Sequence, residues 1–187
     1  MPGNFVSDIQ QIRQRAREHI ERGAVTSAYR ADRETVVALL NEALATELVC
    51  VLRYKRHYFM AQGRTSTGVA AEFLEHANDE QIHADRLAQR ITQLDGEPNF
   101  NPEGLASRSH SEYKEGDTLD EMLREDLVAE RIAIESYSDV IRYLANDDPT
   151  TRRLLEEILA KEEEHANDLA DLLARIDGPD KARGMER

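Results

Sequence analysis

The sequence predicts an all-α protein: a four-helix bundle with one long crossover between its second and third helices and an extra helical segment at the N-terminus. Three observations carry this expectation. Four stretches, each of roughly 27–31 residues, repeat apolar side chains at helical spacing. Each stretch is bounded by residues that start or stop helices. The composition, 40% hydrophobic and 33% charged with only 9 Gly, 5 Pro and no Trp in 187 residues, suits one helical domain with a substantial core.

Residues 1–31 read as an N-terminal helical extension. Val6, Ile9, Ile12, Ala16 and Ile20 make a thin stripe over 5–22, and Gly23 to Asp32 is a connector. The bundle is expected over 32–177. Its first helix starts at the N-cap Asp32 and stops at the C-cap Gly63, with an inward stripe running from Val36 and Leu40 through Glu47 to Tyr54 and Tyr58. The second starts near Ser66 and stops at Gly96, ahead of Pro98, with Phe73, His76, Glu80, His83, Leu87 and Ile91 on its stripe. Residues 96–116 are rich in Gly, Pro, Asn and Ser and lack periodicity, as a long crossover would. The third helix opens with the capping box Thr118-x-x-Glu121 and carries Leu123, Glu130, Ile134 and Tyr137 inward. Asp148-Pro149 supplies an N-cap and a first-turn proline for the fourth, whose stripe includes Leu155, Ile158, Glu162, His165 and Leu169 before Gly178-Pro179. Residues 178–187 are expected to be a flexible polar tail.

Charge and cysteine content narrow the function classes. The net charge of −13 opposes non-specific binding to nucleic acid, which depends on neutralising phosphates, and favours attraction of cations. The arginines of residues 1–34 are balanced by acidic neighbours, so that arm is close to neutral. No run approaches 18 apolar residues, so no membrane span is expected. The N-terminus lacks a basic region followed by an apolar one, and the single Cys50 cannot build a disulfide framework; both fit a cytoplasmic protein.

The chemistry is concentrated in two Glu-x-x-His motifs, Glu80-x-x-His83 and Glu162-x-x-His165. Each histidine shares a helix face with its glutamate. Glu47 and Glu130 lie 33 and 32 residues upstream of those glutamates. Glu47 and Glu80 are equidistant from the Gly63-Arg64 turn, and Glu130 and Glu162 from Asn146, so each pair meets at about 24 Å from its turn at 1.5 Å per residue. An ionised carboxylate on a core stripe is costly unless compensated. Four at one depth point to a pair of divalent cations, and mixed carboxylate and imidazole donors suit iron, manganese or zinc better than calcium or magnesium.

Two tyrosines repeat the pattern: Tyr54 and Tyr137 each follow a glutamate, Glu47 or Glu130, by seven residues. A phenol there can hydrogen-bond a ligating carboxylate or donate an electron and a proton. More ordinary roles compete at single positions. A lone core glutamate is usually a boundary residue, a lone histidine is usually bonded to backbone, and a core tyrosine is common. His76 reads as a core or interface residue with a possible supporting role. Asp79 either orients a histidine or faces solvent. Glu163 reads as solvent-facing or an auxiliary contact, Cys50 as a packed thiol, and His19, His57 and His110 carry no pattern.

Over about residues 33–176 the chain resembles the ferritin-like di-iron carboxylate proteins, bacterioferritins in particular. The resemblance rests on Glu47 with Tyr54, Glu80-Gln81-Ile82-His83-Ala84-Asp85-Arg86, Gly96-Glu97-Pro98-Asn99 and Glu162-Glu163-Glu164-His165. It implies that Glu47, Glu80, His83, Glu130, Glu162 and His165 are ferroxidase ligands for two irons per subunit, with Glu80 and Glu162 bridging. Glu47 with His83, and Glu130 with His165, would be terminal ligands. Two departures matter. Gln81 stands where bacterioferritins carry their haem-ligating methionine, so no haem is expected. No fifth core helix follows Ile176, which with the N-terminal extension resembles Dps-like shells of twelve subunits more than shells of twenty-four. A cysteine pair found near the site in some relatives of that group is impossible with Cys50 alone.

The expected function is iron storage or detoxification: a ferroxidase that oxidises Fe(II) with dioxygen or hydrogen peroxide inside a hollow homo-oligomeric shell, Tyr54 and Tyr137 assisting. The alternatives are a di-manganese catalase or a small di-iron oxidase or peroxidase without storage, and a DNA-protecting or structural bundle with vestigial ligands.

Overall fold

The computed structural model describes residues 8–61 and 67–177. Its elements are α1 (Ile9–Arg15), a single 3-10 turn at Ile20–Arg22, α2 (Arg33–Ala61), α3 (Thr67–Gln93), α4 (Leu105–Arg108), α5 (Leu119–Leu144) and α6 (Pro149–Asp177). No strand occurs among the described residues. α2 packs on α3 and α5 on α6 as two long hairpins, and the hairpins join through α2 with α5 and α3 with α6. The predicted turn at Gly63-Arg64, the Ser66 start, the Gly178-Pro179 stop and the tail lie outside the described residues.

The helix ends follow from local chemistry. At α5, the Thr118 side chain accepts from Glu121 N while Glu121 Oε2 accepts from Thr118 N, which closes the capping box. At α6, Asp148 Oδ1 accepts from Thr151 N at 2.9 Å. α3 ends in a turn in which Gly96 N donates to Ile91 O. A Cβ on Gly96 would lie 2.7 Å from Val37 Cγ1, so glycine is what lets the chain leave α3 hard against α2.

Two apolar clusters fill the bundle. One holds Leu40, Leu44, Leu87, Ile91, Leu144 and Ile158; the other holds Tyr54, Phe73, Ala77, Met122, Leu123 and Leu169. The predicted stripes run into both, although Tyr58, Leu127, Ile134, Ile141, Leu172 and Ile176 are only partly buried.

Three expectations need correction. Of the N-terminal helix expected over 5–22, residues 5–7 with Val6 lie outside the described residues; within them α1 stops at Arg15 and buries nothing, and Ile9, Ile12 and Ile20 are exposed, because a stripe one residue wide cannot compete for core contacts. The crossover is not wholly irregular, since α4 lies within it. α2 is long and apolar enough to cross a membrane by length and composition, which a search for unbroken apolar runs does not detect because Glu42 and Glu47 interrupt it. In the fold its apolar residues, Val36, Leu40, Leu44, Val49, Val51 and Tyr54, are buried core.

The crossover is strapped along α2 by polar groups, partly buried at first and fully buried deeper in. Asn41 Nδ2 donates to Glu97 O and Asn41 Oδ1 accepts from Asn99 N at 2.7 Å. His110 N donates to Thr46 Oγ1. Deeper in, Arg53 donates to Asp126 Oδ1 at 2.8 Å, to Ser111 Oγ and to Glu112 O. His57 joins Asp126 Oδ2 through Nδ1 at 2.7 Å and Glu115 O through Nε2 at 2.8 Å. Arg53, His57 and Asp126 are all essentially inaccessible. Removing one partner of such a network strands a charge in the interior. Asp126→Ala should therefore lose about 3–5 kcal/mol of unfolding free energy, read as a lowered urea midpoint with the far-ultraviolet helix signal retained below the transition.

Candidate metal centre

Four helices deliver one polar layer between the two apolar clusters. Glu47 comes from α2, Glu80 and His83 from α3, Glu130 from α5, and Glu162 and His165 from α6; each is at most 4% exposed. Helical spacing of three puts each histidine on its glutamate's face. His83 Nδ1 lies 2.8 Å from Glu162 Oε1 and 3.4 Å from both Glu47 Oε2 and Glu80 Oε2. His165 Nδ1 lies 3.5 Å from Glu80 Oε1, 3.5 Å from Glu162 Oε2 and 4.0 Å from Glu130 Oε1.

The six side chains form two overlapping groups of donors, Glu47/Glu80/His83/Glu162 and Glu80/Glu130/Glu162/His165, in which the donor atoms lie within 4.8 Å of one another. Glu80 and Glu162 belong to both groups. Despite the short separations, Glu47 Oε2, Glu80 Oε1, His83 Nδ1, both Glu162 oxygens and His165 Nδ1 have no hydrogen-bond partner. They attract by charge but are misaligned for hydrogen bonding. Buried polar atoms are almost always satisfied, and six orphaned donor atoms aimed at one small volume are what a pair of cations would satisfy.

Hydrogen bonds to other groups hold this arrangement. The Tyr54 hydroxyl donates to Glu130 Oε1, and the Tyr137 hydroxyl donates to Glu47 Oε1. Each tyrosine thus serves the opposite hairpin, and the two bonds repeat about a pseudo-twofold axis. His165 Nε2 faces Asp79 Oδ2 at 3.2 Å, which leaves Nδ1 as the inward atom. The symmetry breaks here: the residue before Glu162 is Lys161, and it pairs with Asp79 at 3.4 Å.

Protonation reflects the crowding. Burial and then the charge of Glu80 push Glu47 up to about 8. Burial and then Glu80 and Glu162 raise Glu130 well above the usual carboxylate range. Burial alone would lower both histidines, but the carboxylates outweigh it: Glu162, Glu47 and Glu80 bring His83 to about 12, and Glu162 and Glu80 bring His165 to about 10. For Glu80 and Glu162 burial works upward, yet contacts with both imidazoles and a neighbouring carboxyl leave each below its ordinary value. Both imidazoles are thereby held in the protonated form at neutral pH.

Two residues that the sequence did not assign to a site are buried polar groups, His76 beside this layer and His57 in the crossover network. His76 is buried, stacks on His165 with ring centroids 4.0 Å apart and meets the Tyr54 hydroxyl through Nδ1 at 3.3 Å. Burial, then the charge of His165, lowers it to about 3, so the ring is neutral. Its place on the α3 stripe, one turn before Glu80, was the available signal. His57 offered none, because its partner Asp126 is remote in sequence. Glu163 is exposed and outside the layer, His19 and His110 are exposed, and Cys50 is a buried free thiol.

Comparison with known proteins decides the family. Residues 37–178 match the ferritin family, described as a ferritin-like domain. The chain belongs to the ferritin-like family. Within it, this ferritin-like chain is 33% identical over 143 residues to the bacterioferritin of Mycobacterium bovis, covering 76% of this chain and 86% of that protein. The structure of the Mycobacterium tuberculosis bacterioferritin BfrA superposes with a TM-score of 0.70 at 34% identity, over 79% of this chain and 89% of that one. A dodecameric thioferritin, the bacterioferritin-related protein of Bacteroides fragilis, superposes with a TM-score of 0.77 at 29% identity, over 84% of this chain and 94% of that one.

The raised groups set a pH dependence for the metal-free protein. A group raised in the fold stabilises below its ordinary value and loses that contribution as pH climbs to its folded value. For Glu47 the window runs from 4.5 to about 8, and for His165 from 6.5 to about 10. Metal-free protein should therefore melt at progressively lower temperature from about pH 7 to pH 10. Saturating Zn(II) should raise the melting temperature and flatten that slope in differential scanning calorimetry.

Proposed function

We propose that this chain is an iron-storage or iron-detoxifying protein that oxidises Fe(II) to Fe(III) at the six-residue layer, with iron as both substrate and cargo. The observation that carries the reading is the set of orphaned carboxylate and imidazole atoms turned to one buried volume. In this reading Glu47 with His83 holds one ion, Glu130 with His165 holds the other, and Glu80 and Glu162 serve both. Two ferrous ions each yield one electron. Dioxygen then leaves as hydrogen peroxide, or peroxide as water, with two protons taken up.

The chain's own groups supply what that reaction needs. His83 and His165 give up protons when cations replace them, so uptake releases acid and is favoured by higher pH. Tyr54 and Tyr137 hold the outer glutamates in place and sit within reach as reserve donors of an electron and a proton. Apolar clusters on both sides limit water around the reacting ions.

Similarity to bacterioferritins and to a dodecameric relative supports a homo-oligomeric shell, and twelve copies is our reading of its size. The net charge of −13 favours uptake of cations and disfavours DNA as a partner. Manganese in the same ligands, giving a catalase, or a small oxidase or peroxidase without a shell, is the second reading; its support is that the donor set itself suits either metal.

Stopped-flow oxidation of Fe(II) tests the activity. The wild-type chain should accelerate oxidation over buffer, and Glu80→Ala with Glu162→Ala should return it to the buffer rate. Equal rates in wild type, variant and buffer would leave the ligands without this role. Tyr54→Phe or Tyr137→Phe should slow the initial rate about 10-fold, as removal of ligand-orienting groups commonly does. Native mass spectrometry should find a closed particle of twelve chains, whereas a small oligomer with bound manganese would favour the second reading.

A further inference from the structure

Beside the six-residue layer lies a second set of donors that the proposed oxidation does not use. Glu72 and His76 are one turn apart on α3, and Asp168 approaches from α6 one turn after His165. One donor atom from each of the three lies within 4.8 Å of the others. Two facts separate this group from an ordinary acidic patch. His76 is only 1% exposed, yet its Nε2 has no hydrogen-bond partner. That nitrogen lies 3.5 Å from Glu72 Oε1, turned toward the pair of carboxylates and away from its Tyr54 contact on Nδ1. Glu72 and Asp168 are partly exposed, so the group opens to solvent on one side while the imidazole closes it on the other.

The pseudo-symmetry of the bundle supplies a control. Counting back from Glu162 as His76 and Glu72 stand back from Glu80 gives Ile158 and Leu154; counting on from His83 as Asp168 stands on from His165 gives Arg86. Two apolar residues of α6 and a cation of α3 occupy the pseudo-symmetry-related position, with Ile158 fully buried and Arg86 paired to Glu157. The donors on the α3–α6 flank are thus not a by-product of the repeated fold.

We propose that Glu72, His76 and Asp168 form a separate site for a single divalent transition-metal ion, with one imidazole and two carboxylates as ligands and water completing the shell. Two oxygen donors and one nitrogen donor suit Fe(II), Mn(II), Co(II) or Zn(II). The site touches the paired centre directly, because the His76 ring stacks on His165. An ion held there waits at the solvent side of the layer. This site goes beyond the proposed oxidation, and its existence does not depend on that activity.

Zn(II) is the probe, since it binds without oxidation. Wild-type crystals soaked in Zn(II) should show an anomalous peak among Glu72, His76 and Asp168, apart from any at the layer. In equilibrium dialysis, Glu72→Gln with Asp168→Asn should lose one Zn(II) per chain and keep the ions of the layer; both positions are partly exposed, so the fold is retained. Glu80→Gln with Glu162→Gln should lose the layer's ions and keep the outlying one. The proposal is overturned if the wild type shows no peak at the three residues or if the Glu72/Asp168 variant binds as much Zn(II) as wild type. If instead that variant binds no Zn(II) at the layer, the paired-centre reading fails while the flanking site stands or falls on its own peak.

Discussion

Four buried carboxylates at one level of a helical bundle are the constraint on which the rest of the structure turns. Glu47, Glu80, Glu130 and Glu162 are all but inaccessible, and like charges this close cannot all remain ionised without compensation. The bundle compensates by placing His83 and His165 among them, with Nδ1 of each turned inward. In the metal-free chain the imidazoles carry protons and the outer glutamates are driven upward. The layer consequently draws positive charge toward its centre, which the protonated imidazoles supply. This is why apolar clusters can flank it on both sides without the bundle coming apart.

The layer also couples the two hairpins. Tyr54 reaches from α2 to Glu130 on α5, and Tyr137 reaches from α5 to Glu47 on α2. Neither bond exists within a single hairpin, so the placement of the Glu47 and Glu130 carboxylates is established only when the halves dock. Superimposed on this repeat are departures confined to one flank. Asp79 is matched by Lys161, and His76 by Ile158. The chain has kept a symmetric core and made its surroundings asymmetric.

Crossover and bundle are held together by a different kind of chemistry. Arg53, His57 and Asp126 form a buried network that binds α2 to α5 and captures carbonyls of residues 112 and 115 from the crossover. A long connection without apolar periodicity thereby gains fixed anchors. None of this was legible from spacing. His57 carries no pattern, and Asp126 sits seventy-three residues from Arg53. The N-terminal helix failed in the opposite sense: its stripe was visible, but a single row of isoleucines had no surface to cover, and it stops at Arg15.

What the sequence determined by itself was whatever depends on helical period and on distance from a turn. That includes four long helices, the capping box at Thr118, the long connection, and the equal depth of Glu47 with Glu80 and of Glu130 with Glu162. These are local properties, because a rise of about 1.5 Å per residue converts residue number directly into height along an axis. Tertiary structure alone decided the rotation and pairing of the hairpins. It chose which tyrosine serves which glutamate, set Asp79 against His165 across two helices, and turned His76 toward Glu72 and Asp168. Contacts between helices depend on crossing angle and side-chain rotamer, and neither is written in the spacing of one strand of sequence.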